Sequence, residues 1–312
     1  MKKLKKTYTR AAQISLLALL VLMLAGSFAD LPLSRAVYPG RESSVGQFFA
    51  AFGELPAFLL ISGCGVLLFV IRTRLRKSFD KLFIAVSVFL VAAGIALAVH
   101  EASDNVPALP KAVALLVVVF STVIGSVCLL LLSRGCQAKT VVRFICTVLF
   151  VTIGTMLLVN IIKLPWGRAR MRLIVSTGNE SYFTPWWKAG TALKDMLVAN
   201  GVSPDEFRSF PSGHTACAAC ACLAILFPTL GKRFRGREWR CFAAGVLWTL
   251  LVAFTRILMG AHFLTDVTFS CLVVLGMSVL GIWLFYFNAS VSRFVWRFVS
   301  GCADRPEKRT EA

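Results

Sequence analysis

Charge is scarce in this sequence, and histidine is scarcer. Only 16% of the 312 residues are Asp, Glu, Lys or Arg, and histidine occurs three times. A soluble domain carries about 25% charged residues. A soluble enzyme and a solvated disordered chain are therefore both excluded as descriptions of the whole. Acidic residues are the rarer sign, 15 against 34 Lys and Arg, which leaves a formal net charge of +19. No internal repeat or low-complexity tract breaks the sequence. What fills it is apolar: 57% hydrophobic residues and a mean hydropathy of +0.76. A charge of +19 would ordinarily point to nucleic acid. Here the basic residues fall in short clusters between long apolar runs, which is not the layout of a nucleic-acid face.

Eight apolar runs approach or reach the roughly 20 residues that cross a bilayer as a helix. They cover 11–29, 55–71, 82–99, 112–132, 144–162, 215–230, 241–258 and 267–287, and Arg256 is the single charged residue in any of them. Continuous apolarity without two-residue alternation rejects a β-barrel and leaves helices. The fold class expected is an all-α integral membrane protein, a helical bundle of about six to eight transmembrane helices. With the amino terminus inside, the inner segments hold 23 of the 34 Lys and Arg, as the positive-inside rule requires. The first run, ending in Ser27-Phe28-Ala29, also has the shape of a secretory signal peptide, although its length favours a retained span.

Two outer segments are long, 30–54 and 163–214. In the second, Trp186, Trp187, Leu193, Met196 and Leu197 recur at helical spacing, which fits either an amphipathic interfacial helix or a plain packing helix. No cysteine lies in an outer segment, so a disulfide framework is not expected. Cys217, Cys220 and Cys222 form a C-x-x-C-x-C cluster that reads as small residues packed between helices. His100 ends the third span and reads as structural.

Three patches meet at the outer boundary. Lys163, Arg168 and Arg170 leave the fifth span. Pro211-Ser212-Gly213-His214 opens the sixth. Arg256, His262 and Asp266 mark the hairpin between the last two. His262 and Asp266 stand at i and i+4, one turn apart on a helix. In that register the carboxylate can accept a hydrogen bond from one ring nitrogen and leave the other free as nucleophile or base. Ser212 and Gly213 sit where a helix begins, a place suited to an anion or to an ordinary serine cap. Lys163, Arg170 and Arg256 are cations near apolar segments, and Arg168 and Arg172 are more ambiguous. Two histidines, an aspartate, a helix start and three cations make a site for phosphoryl transfer. Cations neutralise the phosphoryl oxygens, one histidine attacks and the other protonates the leaving oxygen. No zinc-type Cys/His pattern surrounds the histidines.

The spacings resemble those of the type 2 phosphatidic acid phosphatase family of membrane lipid phosphatases, related to the acid phosphatase/vanadium haloperoxidase superfamily. Its K-x6-R-P, P-S-G-H and S-R-x5-H-x3-D pattern is met by Lys163 and Arg170, by Pro211 to His214, and by Arg256, His262 and Asp266. The resemblance covers about residues 144–287. Met171 replaces the family proline after Arg170, and Thr255 replaces the serine before Arg256. The resemblance implies His262 as nucleophile, Asp266 as its orienting partner and His214 as general acid and base. It implies phosphate held by Lys163, Arg170, Ser212, Gly213 and Arg256, with no metal or other cofactor. The implied substrate is a lipid phosphate or diphosphate, such as undecaprenyl diphosphate, phosphatidylglycerophosphate, phosphatidic acid or a lipid A phosphate, with the bilayer and no nucleic acid as partner. A lipid phosphotransferase would use the same site, and a non-enzymatic anion transporter is the remaining alternative. The expected organisation is N-terminal spans of unassigned role over 1–140, a catalytic core over 141–290 and a basic cytoplasmic tail over 291–312. The expected location is a bacterial cytoplasmic membrane, with the site on the extracytoplasmic face.

Overall fold

The computed structural model describes residues 2–40, 43–231 and 234–301. Among them no strand occurs, and eight helical stretches are long and apolar enough to cross a membrane. The chain is an all-α multi-span bundle. The first, third and fourth spans are the single helices α1 (Lys2–Val37), α4 (Asp80–Asn105) and α5 (Lys111–Ser133). Between α1 and α4, α2 (Ser44–Phe52) leads through Gly53 and Glu54 into the spanning α3 (Leu55–Ile71). The fifth span is α6 (Ala138–Trp166), followed by two short helices, α7 (Met171–Thr177) and α8 (Thr191–Ala199). The sixth is assembled from α9 (Gly213–Ala219), a 3-10 stretch over Cys220–Leu226 and α10 (Phe227–Leu230). The last two are α11 (Glu238–Leu258) and α12 (Leu264–Ile282), and the described chain closes with α13 (Ala289–Ser300).

All eight spans fall on the apolar runs of the sequence. Their packing follows membrane rules, in which close contact between small residues replaces the hydrophobic effect. Gly245 of α11 shows this: a Cβ there would come within 2.6 Å of the Ala221 and Cys222 backbone. Buried Phe144, Val148 and Val151 of α6 join Cys64 and Leu67 of α3 and Leu223 and Leu226 of the sixth span in the main core. Cys220 and Cys222 lie in the same close-packed region, where Cys220 Sγ donates to the Ala216 carbonyl one turn back.

Two connections depart from the sequence reading. The described part of 30–54 is mostly helical, because α1 continues unbroken through 27–29 to Val37 and α2, capped by Ser43, covers Ser44–Phe52. The only helix of the 191–199 region, α8, begins after Trp186 and Trp187. The indole of Trp186 instead packs on Phe210 and Phe269 and donates to Ser27 Oγ at 2.9 Å. Residues 163–214 therefore fold into short helices and turns around buried Ala169, Leu173, Leu197 and Phe207. Of the expected basic tail, 302–312 lie outside the described residues.

The ends of the helices decide where the site lies. Asp30 near the end of α1, Glu54 before α3, Lys163 in the last turn of α6, His214 in the first of α9, Arg256 in the last of α11 and Asp266 in the first of α12 share one end of the bundle. The basic connections around Arg72–Arg74 and before α11 occupy the other.

Candidate active site

Backbone geometry brings the three patches together. Gly167 ends α6 in the left-handed region at φ 63°, with Thr191 and Gly190 packed on it so closely that a side chain would collide. This turn directs Arg168 and Arg170 back across the bundle end. The Arg170 amide donates to the Glu206 carbonyl at 2.8 Å, and the Arg172 amide to the Gly260 carbonyl at 3.0 Å. The Ser212 amide donates to the Asp266 carbonyl at 3.3 Å, and the amides of Ala261 and His262 fold back on the Arg256 carbonyl. All three motifs are thus fixed to one another through main-chain bonds.

His262 is buried, at 2% exposure. Its Nδ1 lies 2.5 Å from the Ser209 carbonyl and 3.9 Å from Asp266 Oδ2. The expected direct bond from His262 to Asp266 is therefore not made. The reason is that Asp266 is already saturated. Its Oδ2 accepts from Ser209 Oγ at 2.6 Å and from the Phe263 amide at 2.8 Å, while Oδ1 meets Arg168. Asp266 acts on His262 through Ser209, whose backbone carbonyl fixes the ring. Because a carbonyl only accepts, Nδ1 carries the hydrogen and Nε2 presents a lone pair.

Burial, and then Arg256, Lys163 and Arg170, push the His262 pKa well below the ordinary 6.5, against the opposing hydrogen bond to Ser209. The imidazole stays neutral where an exposed histidine would be charged. Below the unfolded value of about 6.5 the unfolded chain takes up a proton that the folded chain refuses, so this group's stabilisation is full above that pH and declines as pH falls. With histidine isotopically labelled, the NMR resonance lost in His262→Ala is expected to show no titration around pH 6.5 in the wild type. A midpoint there would contradict the burial argument.

The cations differ in availability. Arg168, fully buried, donates to Asp30 Oδ2 and Thr265 Oγ1 at 2.9 Å, to the Thr184 carbonyl at 2.8 Å and to Asp266 Oδ1, with its guanidinium over the Phe263 ring. It is a structural hub committed to two carboxylates. Arg170 also departs from the reading of a free phosphate ligand: Asp205 grips its fork at 2.5 and 3.2 Å, leaving the buried Nε without a partner. Arg172 is held by Glu206 and Asp205. Arg256 is buried, and its Nε too has no acceptor. Lys163 Nζ would stand 3.4 Å from a Cβ on Gly213, which places the ammonium against the start of α9. Lys163 and Arg256 make no ion pair among the described residues. Asp205 competes with any anion for Arg170, so Asp205→Asn is expected to lower KM for a phosphate substrate several-fold with little change in kcat. A raised KM would show that Asp205 orients Arg170 instead.

Ser212 serves as the N-cap of α9, its Oγ accepting from the Thr215 amide at 3.3 Å. That role leaves the first amides of the helix, Gly213 among them, without intrahelical acceptors. His214 is held on both sides, Nδ1 by Glu54 Oε1 at 3.0 Å and Nε2 by the Ala50 carbonyl at 3.0 Å. Arg256, Lys163 and Arg170 act electrostatically on both imidazoles, so the two histidines share one cationic surround. His100, by contrast, is exposed.

The two departures from the family pattern are mild. Met171 is the first residue of α7, a position where proline also fits, and its side chain packs with Ile174 and Phe263. Thr255 turns its hydroxyl onto the Val252 carbonyl at 2.8 Å.

Sequence reasoning missed Ser209, Asp205, Asp30 and Glu54, and missed Arg208, an exposed cation close enough to act on Lys163. Asp30 and Glu54 did carry a signal: each is an ionisable residue beside an apolar run, and such residues in membrane proteins are functional by default. Residues 144–291 match the family model described as the PAP2 superfamily. No curated protein and no solved structure matches the chain.

Proposed function

Taking residues 144–291 as a segment of the PAP2 superfamily, whose members are phosphatase-type hydrolases, we propose that this protein hydrolyses a lipid phosphate or diphosphate through a phosphohistidine on His262. The observation that carries this reading is the state of His262: a buried ring with Nδ1 fixed on a carbonyl and the Nε2 lone pair free, beside Lys163, Arg170 and Arg256. Nε2 attacks phosphorus while the cations and the first amides of α9 take the charge on the phosphoryl oxygens. His214 protonates the leaving oxygen and then takes a proton from the water that releases phosphate. Cations around the histidines favour an anion over a metal ion, so activity is expected to survive EDTA.

The lipid class is supported by the setting. The site lies at the end of a bundle of eight apolar helices, where a headgroup can reach the histidines while its chain stays in hydrocarbon. An apolar groove of about 970 Å³ between α1, α11 and α12, lined by Leu16, Leu19, Leu22 and Leu275 among others, runs from Ala219, five residues after His214, toward Lys5 and Phe287 at the opposite end. The basic connections at the opposite end support a cytoplasmic position for that end, and with it a site on the extracytoplasmic face of a cell membrane. The test is phosphate release by purified protein in detergent from a panel of prenyl diphosphates, phosphatidylglycerophosphate, phosphatidic acid and lipid A phosphates. Release from at least one in EDTA is expected. No release from any, or transfer only to another acceptor without free phosphate, contradicts the hydrolase.

A further inference from the structure

The second histidine has a carboxylate of its own, and that carboxylate comes from outside residues 144–291. Glu54 Oε1 lies 3.0 Å from His214 Nδ1, with the two side chains 9% and 10% exposed. The placement is specific. Glu54 occupies the junction of α2 and α3, where the Trp248 indole donates to the Gly53 carbonyl at 2.9 Å and where a Cβ on Gly53 would meet Val252 of α11 at 3.0 Å. On the other side of the ring, the Ala50 carbonyl of α2 faces Nε2 at 3.0 Å. That carbonyl can only accept, so Nε2 carries a hydrogen, and Nδ1 meets Glu54 across one shared proton. The Cys217 thiol hydrogen-bonds Glu54 as well, and Lys163, Arg256 and Glu101 act on it through space. A buried carboxyl is costly to keep in a membrane bundle, and among the described residues no arginine fork or ring of backbone amides repays this one. Among them, its titrating hydrogen-bond partner besides a thiol is the proposed proton donor.

We propose that Glu54 is the positioning residue of His214 and the reservoir of its proton, the counterpart for the second histidine of what Asp266 and Ser209 provide for the first. The proposal rests on the phosphatase reading above. In the first half-reaction the His262 Nε2 lone pair forms the N–P bond as the P–O bond to the leaving group breaks. The leaving oxygen, taking the place of the Ala50 carbonyl, receives the Nε2 proton of His214, and the proton of Glu54 passes to Nδ1. In the second, a water oxygen attacks phosphorus and the N–P electron pair returns to His262. The water's proton goes to His214 Nε2, and Nδ1 hands its proton back to Glu54. The N-terminal spans thereby supply part of the acid–base machinery rather than a mere anchor.

The test uses the purified full chain with two probes, decyl phosphate and 4-nitrophenyl phosphate. The alkoxide leaving group needs a proton in the transition state and the nitrophenolate does not. Glu54→Gln keeps the shape and can donate to Nδ1, but it has no proton to give. It is expected to slow decyl phosphate about 100-fold more than 4-nitrophenyl phosphate, the size of a general-acid contribution, and to add no further loss in a His214→Ala background. Equal slowing of both probes, no slowing, or full additivity with His214→Ala would overturn the role. If Glu54→Gln does not fold, Glu54→Asp replaces it. Its longer proton path is expected to give the same bias toward decyl phosphate, and equal slowing again overturns the role. Wild type turning over both probes and His262→Ala neither establishes the underlying site. Failure there refutes the phosphatase reading itself, whereas success there with unbiased slowing by the Glu54 variants refutes only the role of Glu54.

Discussion

Replacing His262 with alanine is expected to reduce phosphate release by about four orders of magnitude or more, the scale of losing an attacking nucleophile. The fold should survive this change. The His262 ring makes one hydrogen bond, to the Ser209 carbonyl, and Ser209 keeps its bonds to Asp266 and to the Ala261 carbonyl. The loss should therefore fall on kcat, with binding of inorganic phosphate retained because Lys163, Arg170 and Arg256 remain. Titration of the variant with phosphate, beside its turnover of a lipid phosphate, separates the two effects. Turnover within tenfold of wild type would mean that another group attacks phosphorus.

Arg168→Met is expected to be the most damaging change to stability. Removing one partner of a buried ion pair costs about 3–5 kcal/mol because the other charge is left uncompensated. Here one guanidinium serves two buried carboxylates, Asp30 of α1 and Asp266 of α12. Thermal unfolding in detergent should show a large drop in midpoint. Asp30→Asn added to Arg168→Met should restore part of it by removing one orphaned charge. Asp30 also holds the Thr265 amide at 2.9 Å and the Thr265 hydroxyl, contacts between α1 and α12 that the single variant leaves in place. An unchanged midpoint would show that water or a neighbouring cation already compensates these carboxylates.

Much of this architecture is legible in the sequence because its signals are local. Runs such as 55–71 declare themselves by length and apolarity, whereas of the i, i+4 pair only Asp266 stands on a helix, His262 preceding its N-cap Phe263. What was not legible is pairing across the bundle. Asp30 meets residues 138 and 235 positions away, and His214 meets an Ala50 carbonyl 164 positions away. No spacing encodes such contacts; they follow from which helix ends pack together. The same limit explains the misreading of Asp266. The short sequence separation puts its carboxylate near the imidazole, but His262 stands before the helix, and competition from Ser209, the Phe263 amide and Arg168 decides which bonds Asp266 makes. Arg170 looked free for the same reason, since its partner Asp205 lies in a turn 35 residues on. The inner basic clusters, by contrast, required no tertiary knowledge, because topology alone accounts for them.

The measurement that tests the central claim most directly is capture of the covalent intermediate. Purified protein is mixed with a lipid phosphate carrying a radiolabelled phosphoryl group, quenched in alkali and digested. The label is expected to be stable in alkali, lost in acid and confined to the peptide bearing His262, with none in His262→Ala. Robust hydrolysis with no labelled protein, or label on any other residue, would contradict it.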